Sequence, residues 1–196
     1  MSGIHGYTSD VRKDGFAPYL GMAIALGAWT MLFGSVFFVY SVLRIQAVDW
    51  YLPGLLEMPF KYALVNTFII LLSSWMYYKA VKTLRAADIQ GFIRNIGRTF
   101  ILGLIFLVMQ AGLWFMLTEH GLTVQSGIAG ALFYSLTGLH ALHIIGGLIA
   151  VACIFIKGRK GIINPEEDVS VNLVGYFWHF LSVVWVAMFF IIFIIR

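Results

Sequence analysis

Charged residues and cysteine are both scarce in this chain of 196 residues. Asp, Glu, Lys and Arg make up 11% of it, whereas soluble domains contain roughly 25%. The one cysteine, Cys153, excludes an internal disulfide framework or a cysteine metal cluster, and we expect it to be a small packing residue in an apolar span. Because 61% of the residues are hydrophobic, the composition predicts an integral membrane protein.

Five apolar stretches are long enough to cross a hydrocarbon core, which takes roughly 20 helical residues. We expect helices, because isolated strands leave backbone groups unpaired in lipid. The predicted fold is therefore all-α, a bundle of five transmembrane helices that forms one integral membrane domain over residues 1–196. The predicted parts are a tail at 1–18 and spans near 19–43, 62–78, 99–118, 126–156 and 171–195.

Lys and Arg are unequally divided between the two sides of these spans. Ten lie in the N-terminal tail and in the loops that follow spans two and four, and three lie on the other side: Arg44, Lys61 and Arg196. Cytoplasmic loops carry the excess of positive charge, so we expect a cytoplasmic N-terminus and an external C-terminus. Basic residues confined to loops fit membrane orientation better than nucleic-acid binding, and no nucleic-acid partner is expected.

Three histidines lie inside predicted spans that contain no Asp, Glu, Lys or Arg. Without intramembrane acids or bases, the chain is a poor candidate for a free-standing transporter. His140 and His143 share a face of span four, and His179 lies at an overlapping depth in span five. They could be axial haem ligands or a hydrogen-bonded cluster that fixes helix packing. A three-histidine metal site is less supported, because no carboxylate or thiol lies with them.

The other polar residues inside the spans indicate helix contacts rather than catalysis. We expect Gln110 to make an interhelical hydrogen bond, and Asn66 belongs to a polar seam on span two that also includes Thr67, Ser73 and Ser74. Trp178 is interpreted as a packing or interfacial residue. No phosphate loop, activated nucleophile or carboxylate pair is present. No catalytic residue is therefore predicted. If the histidines bind haem, the chain would be a haem-b-binding membrane anchor of a quinone-linked oxidoreductase, which we keep as the alternative function.

Four stretches, in chain order, resemble segments of subunit III of haem–copper terminal oxidases in its short five-helix bacterial form. They are VNTFIILLSS (65–74), ILGLIFLVMQA (101–111), TGLHALHIIGG (137–147) and YFWHFLSVVW (176–185). Together they touch four of the five predicted spans. The resemblance implies a non-catalytic subunit of the cytochrome c or quinol oxidase of a bacterial inner membrane.

The resemblance also implies where the cofactors and partners are. This chain is expected to hold no haem and no metal, because haems and copper belong to partner subunits. It would pack against the catalytic subunit I and other oxidase subunits, contact membrane phospholipids and support proton uptake from the cytoplasmic side. Its histidines would be neutral and would hydrogen-bond to groups such as Thr137 or Ser182. The expected structural polar cluster is His140, His143, His179, Gln110, Asn66, Trp178 and Ser182.

The sequence departs from that family at three positions where members carry an acid. Trp29 stands where a Glu is usual in the first of the five spans. Leu113 stands where a Glu often follows the Gln-Ala pair, and Ser182 stands where the last helix usually has Asp. Any role that rests on those acids, such as lipid contact or proton collection, would have to be filled by other residues in this chain.

Overall fold

The structure, a computed structural model, describes residues 7–47, 58–164 and 168–194, with side chains from Phe16 onward except those of Met58 and Ile194. The first six residues of the predicted tail lie outside the described residues. Arg196, one of the three basic residues assigned to the other side, lies outside them as well. The side chains of Arg12 and Lys13 lie outside them too.

Five α-helices account for almost all of the described chain. They are α1 (Tyr7–Gln46), α2 (Met58–Arg85), α3 (Ile89–Glu119), α4 (Ile128–Arg159) and α5 (Val169–Phe189). The last helix continues as a π-helical turn, Phe190–Ile194. All five are long and apolar enough to cross a membrane, and the described residues include no strand. The predicted all-α fold of five transmembrane helices is confirmed.

Several helices are longer than the spans predicted for them. The second predicted span stopped before Lys79, but α2 runs on to Arg85. A helix need not end where charged residues begin, because its backbone hydrogen bonds continue and the long basic side chains extend towards water. For the same reason α1 begins at Tyr7, inside the stretch predicted as a tail.

Capping side chains and tight turns set the ends of the helices. The Asp88 carboxylate accepts a hydrogen bond from the Gly91 amide at 2.8 Å and begins α3, and Asp168 accepts from the Ser170 amide at 3.1 Å and begins α5. Such caps satisfy amides that have no partner within the helix. Between α2 and α3, Ala87 adopts a positive φ of 58°, which lets the chain reverse within a few residues. The two helices are consequently antiparallel neighbours.

Helices α2 to α5 form a four-helix bundle, and α1 lies against its outer side. In the bundle α2 packs on α3 and α5, and α4 packs on the same two helices, whereas α1 contacts α4 and α5. Spans four and five therefore pack on each other. The α2–α3 and α4–α5 connections lie at one end, which we call the basic end because it carries Lys79, Lys82, Arg85, Arg94, Arg98, Lys157, Arg159 and Lys160.

Glycines let Trp178 sit at the centre of this bundle. A Cβ on Gly103 of α3 would lie 2.8 Å from the indole of Trp178, and a Cβ on Gly147 of α4 would lie 3.0 Å from it. The indole is therefore enclosed by two helices that approach closely where they lack side chains.

Cys153 is exposed on α4, so the prediction that it packs inside is wrong.

Candidate functional site

His140 lies in the interior of the bundle among aromatic rings. Its imidazole is 1% exposed, and its centroid lies 6.2 Å from the ring of Phe33, 6.0 Å from Phe106 and 5.5 Å from Trp185. These rings come from α1, α3 and α5. Neither imidazole nitrogen has a hydrogen-bond partner among the residues that the structure describes. The surroundings of His140 are thus those of a packing residue.

The hydroxyl groups proposed as partners of the histidines bond elsewhere. Thr137 donates to the Phe133 carbonyl at 2.7 Å and accepts from Trp114 Nε1 at 3.1 Å, and Ser182 donates to the Trp178 carbonyl at 3.1 Å. The prediction that Thr137 or Ser182 bonds an imidazole is wrong. A helical Ser or Thr can always reach the carbonyl one turn earlier in its own helix, and that local bond is the one formed here.

His143 faces α1 rather than the bundle interior. Its Nδ1 lies 2.7 Å from the Leu139 carbonyl of its own helix, and because a carbonyl only accepts, Nδ1 carries the hydrogen. The imidazole packs 5.7 Å from the ring of Trp29 and 5.4 Å from that of Phe33. His143 therefore belongs to the contact between α1 and α4.

His179 lies against α2, on another side of α5. Its Nδ1 is 2.6 Å from Ser74 Oγ, and its ring centroid is 6.0 Å from that of Tyr77. The expectation of one three-histidine cluster between α4 and α5 needs correction, because residue 179 is turned about 100° around the helix from Trp178, which faces α4. The same separation leaves His140 and His179 poorly placed to be opposed haem ligands.

Two polar pairs link α2 to the neighbouring helices in the bundle interior. Asn66 Nδ2 donates to Gln110 Oε1 of α3 at 3.4 Å, so the predicted interhelical bond of Gln110 is confirmed. Trp185 Nε1 of α5 donates to the hydroxyl of Thr67 at 3.0 Å. All four side chains are buried. The polar seam of α2 therefore faces other helices, as expected.

A third network joins α2, α3 and α5 around Ser73. Its hydroxyl donates to the Thr99 carbonyl at 3.0 Å and accepts from Trp178 Nε1 at 3.3 Å. Nearby, the Tyr77 hydroxyl donates to the Val171 carbonyl at 2.7 Å. Sequence reasoning identified Trp178 and Ser73 but missed Thr99 and Tyr77. Their signal is weak, because both lie close to the charged end of a helix and their pattern resembles that of interfacial residues.

The positions where the resemblance led us to expect acids hold packed residues. The Trp29 ring lies 4.7 Å from that of Phe177 on α5, Leu113 is buried in α3, and Ser182 is buried in α5. Within the described part of the chain, no three His, Cys, Asp or Glu side chains lie together as metal ligands would. The interior polar groups that the structure describes can therefore hold helices in register.

A comparison with protein families agrees with this arrangement. A family model described as cytochrome c oxidase subunit III matches residues 2–195. The chain belongs to this family. It is similar to the cytochrome c oxidase subunit 3 of Corynebacterium diphtheriae, at 33% identity over 180 residues that cover 90% of this chain and 87% of the relative.

Other relatives give the same result. The probable cytochrome c oxidase subunit 3 of Mycobacterium tuberculosis is 32% identical over 177 residues, covering 90% of this chain and 87% of the relative. The corresponding protein of Synechocystis is 30% identical over 194 residues, covering 98% and 79%. The chain is thus a multi-pass, non-catalytic subunit III of a haem–copper terminal oxidase, a member of a complex with other subunits. The haem-b anchor is not favoured.

Proposed function

We propose that this subunit stabilises the catalytic subunit I of its oxidase and holds no redox centre of its own. The observation that carries the proposal is the nature of the buried polar groups. The buried polar residues of the described chain are Asn66, Thr67, Ser73, Asn95, Thr99, Gln110, Thr137, His140 and Ser182. They include no Asp, Glu, Lys or Arg, and most of them bond within or between helices.

Its outer surface suits attachment to other membrane proteins and to lipid. From Phe16 onward, where its side chains are described, α1 buries Phe33 and Tyr40 and exposes many large apolar side chains. In a membrane these side chains meet either acyl chains or the helices of other subunits. We place subunit I, other oxidase subunits and membrane phospholipids at this surface, with the haems and copper in the partner subunits.

The subunit's orientation gives it a place in proton uptake. We propose that the basic end faces the cytoplasm of a bacterial cell, with the chain in the inner membrane, the N-terminus inside and the C-terminus outside. Eight described Lys and Arg side chains at that end support this orientation. A subunit that steadies the cytoplasmic side of subunit I would support proton entry there without carrying protons through its own interior.

An absorbance spectrum of the separated subunit tests the absence of a redox centre. The chain, isolated from its complex in mild detergent, should show no Soret band, because His140 is enclosed by rings and His179 is bonded to Ser74. The intact complex is the positive control. A stoichiometric Soret band that disappears in His179→Ala would reject the proposal and restore the haem-b alternative.

A further inference from the structure

Four buried polar atoms of α2, α3 and α4 have no hydrogen-bond partner among the residues that the structure describes. They are Oδ1 of Asn66, Nε2 of Gln110 and both ring nitrogens of His140. None of these three side chains is more than 2% exposed. A buried polar atom without a partner costs free energy, and proteins rarely leave one in that state. Each of these atoms therefore requires a partner other than the described residues.

Gln110 lies at the same level of the bundle as His140. It stands one helical turn after Phe106 and one turn before Trp114, on the same face of α3. The Phe106 ring lies 6.0 Å from the ring of His140 on α4. Trp114 Nε1 donates to the Thr137 hydroxyl of α4 at 3.1 Å. Because His140 is three residues beyond Thr137 on an antiparallel helix, these two contacts place Gln110 beside it.

The unpaired atoms have complementary hydrogen-bonding roles. Asn66 Nδ2 donates to Gln110 Oε1 at 3.4 Å, which leaves Asn66 Oδ1 as an acceptor and Gln110 Nε2 as a donor. A neutral imidazole adds one acceptor nitrogen and one donor. The indole N–H of Trp185, whose ring lies 5.5 Å from that of His140, already donates to Thr67 at 3.0 Å. The set therefore contains both donors and acceptors that lack partners.

We propose that one water molecule is bound between Asn66, Gln110 and His140 in the middle of the bundle. It would accept a hydrogen bond from Gln110 Nε2 and donate to Asn66 Oδ1 and to the unprotonated nitrogen of His140. Three hydrogen bonds are typical of a buried water. The site goes beyond the proposed function, because it joins α2, α3 and α4 inside the chain and involves no partner subunit.

Other ways of filling the site satisfy fewer of these atoms. An apolar molecule would leave all of them unpaired. A direct bond between Gln110 and His140 would still leave Asn66 Oδ1 without a donor. A metal ion is a poor match, because Gln110 Nε2 presents hydrogens rather than lone pairs. The described residues also hold no group of three His, Cys, Asp or Glu side chains that could bind one.

X-ray hydroxyl-radical footprinting of the intact oxidase complex tests the site. Radiolysis of a bound water oxidises the side chains beside it, whereas radicals formed in bulk water reach exposed side chains. Trp185 is the reporter, and Trp178 is its matched control because both indoles are buried and both donate to a hydroxyl. His140 lies more than about 15 Å from either end of α4, at 1.5 Å per residue. We expect oxidation of Trp185 and none of Trp178.

Three variants test the assigned partners of the water. Gln110→Leu and His140→Leu each remove one partner and should lower the oxidation of Trp185, and together they should reduce it to that of Trp178. Ser182→Ala is the control, because it removes a buried hydroxyl that already donates to the Trp178 carbonyl, and it should leave the oxidation unchanged. Subunit retention, recorded in the same samples, should not fall in His140→Leu, so that the lost oxidation reports the water.

Two results would overturn the proposal. Equal oxidation of Trp185 and Trp178 in the wild-type complex would show that no water is bound beside His140. Oxidation of Trp185 that persists in the double variant Gln110→Leu/His140→Leu would show that water reaches the indole by another route, and it would reject the assigned partners. Neither result would bear on the proposed function, which concerns the outer surface of the subunit.

Discussion

Polar residues inside this bundle differ in whether their side chains find hydrogen-bond partners within the chain. Ser73 and Thr67 bond across helices, whereas both nitrogens of His140 have no partner among the described residues. His179 is intermediate, because Ser74 Oγ lies 2.6 Å from its Nδ1 and its ring is only partly buried. The two histidines should therefore respond differently to the same substitution.

The paired substitutions His179→Leu and His140→Leu test this difference. His179→Leu removes the hydrogen bond that joins α5 to α2, a net loss of about 0.5–1.5 kcal/mol, and should loosen the subunit's hold on the oxidase without stopping electron transfer. His140→Leu breaks no described hydrogen bond and should leave retention unchanged. The measurements are subunit retention after detergent washing and oxygen consumption by membranes. If His179→Leu keeps full occupancy while oxygen consumption stops, His179 takes part in chemistry.

At the scale of helices, packing around Trp178 fixes the spacing of α3, α4 and α5. Gly103→Ala would place a Cβ 2.8 Å from both Trp178 and Leu148, and such overpacking typically costs about 1–3 kcal/mol. Gly112→Ala on the same helix meets nothing within 4 Å and is the control. Gly103→Ala should lower the temperature at which the purified complex loses this subunit, and Gly112→Ala should not. Equal temperatures for both would contradict the observed packing.

The number and order of the helices could be predicted from the sequence, but the faces that meet could not. Long apolar runs identify a span by length alone, so five spans were found. The extent of α2 beyond Lys79 was missed, because the basic residues of its last turns end the apolar run without ending the helix. The partner of His179 was missed as well. Adjacency in sequence suggested α4, and only the rotation of α5, fixed by Trp178 between Gly103 and Gly147, turns residue 179 towards Ser74.

At the scale of the whole molecule, the two ends of the bundle differ in charge, and this difference predicts its orientation. In a Cys153→Ala background, Lys160→Cys at the basic end should be protected from an impermeant thiol reagent added to intact cells. Glu119→Cys, at the opposite end of the bundle, should be labelled. Both positions are exposed. Labelling of Lys160→Cys alone would invert the orientation, and labelling of both from one side would reject the alternation of the helices.

The central claim is that this subunit supports an oxidase whose chemistry lies in its partners. Its most direct test is to purify the oxidase with and without this chain and to record haem content, the initial rate of oxygen reduction and the decay of that rate during turnover. We predict that removal leaves the haem spectrum intact and the initial rate within about twofold, since the buried polar residues of the described chain include no Asp, Glu, Lys or Arg. The activity should then decay faster. An oxidase that loses a haem together with this chain, or that stops reducing oxygen at the first turnover, would contradict the account.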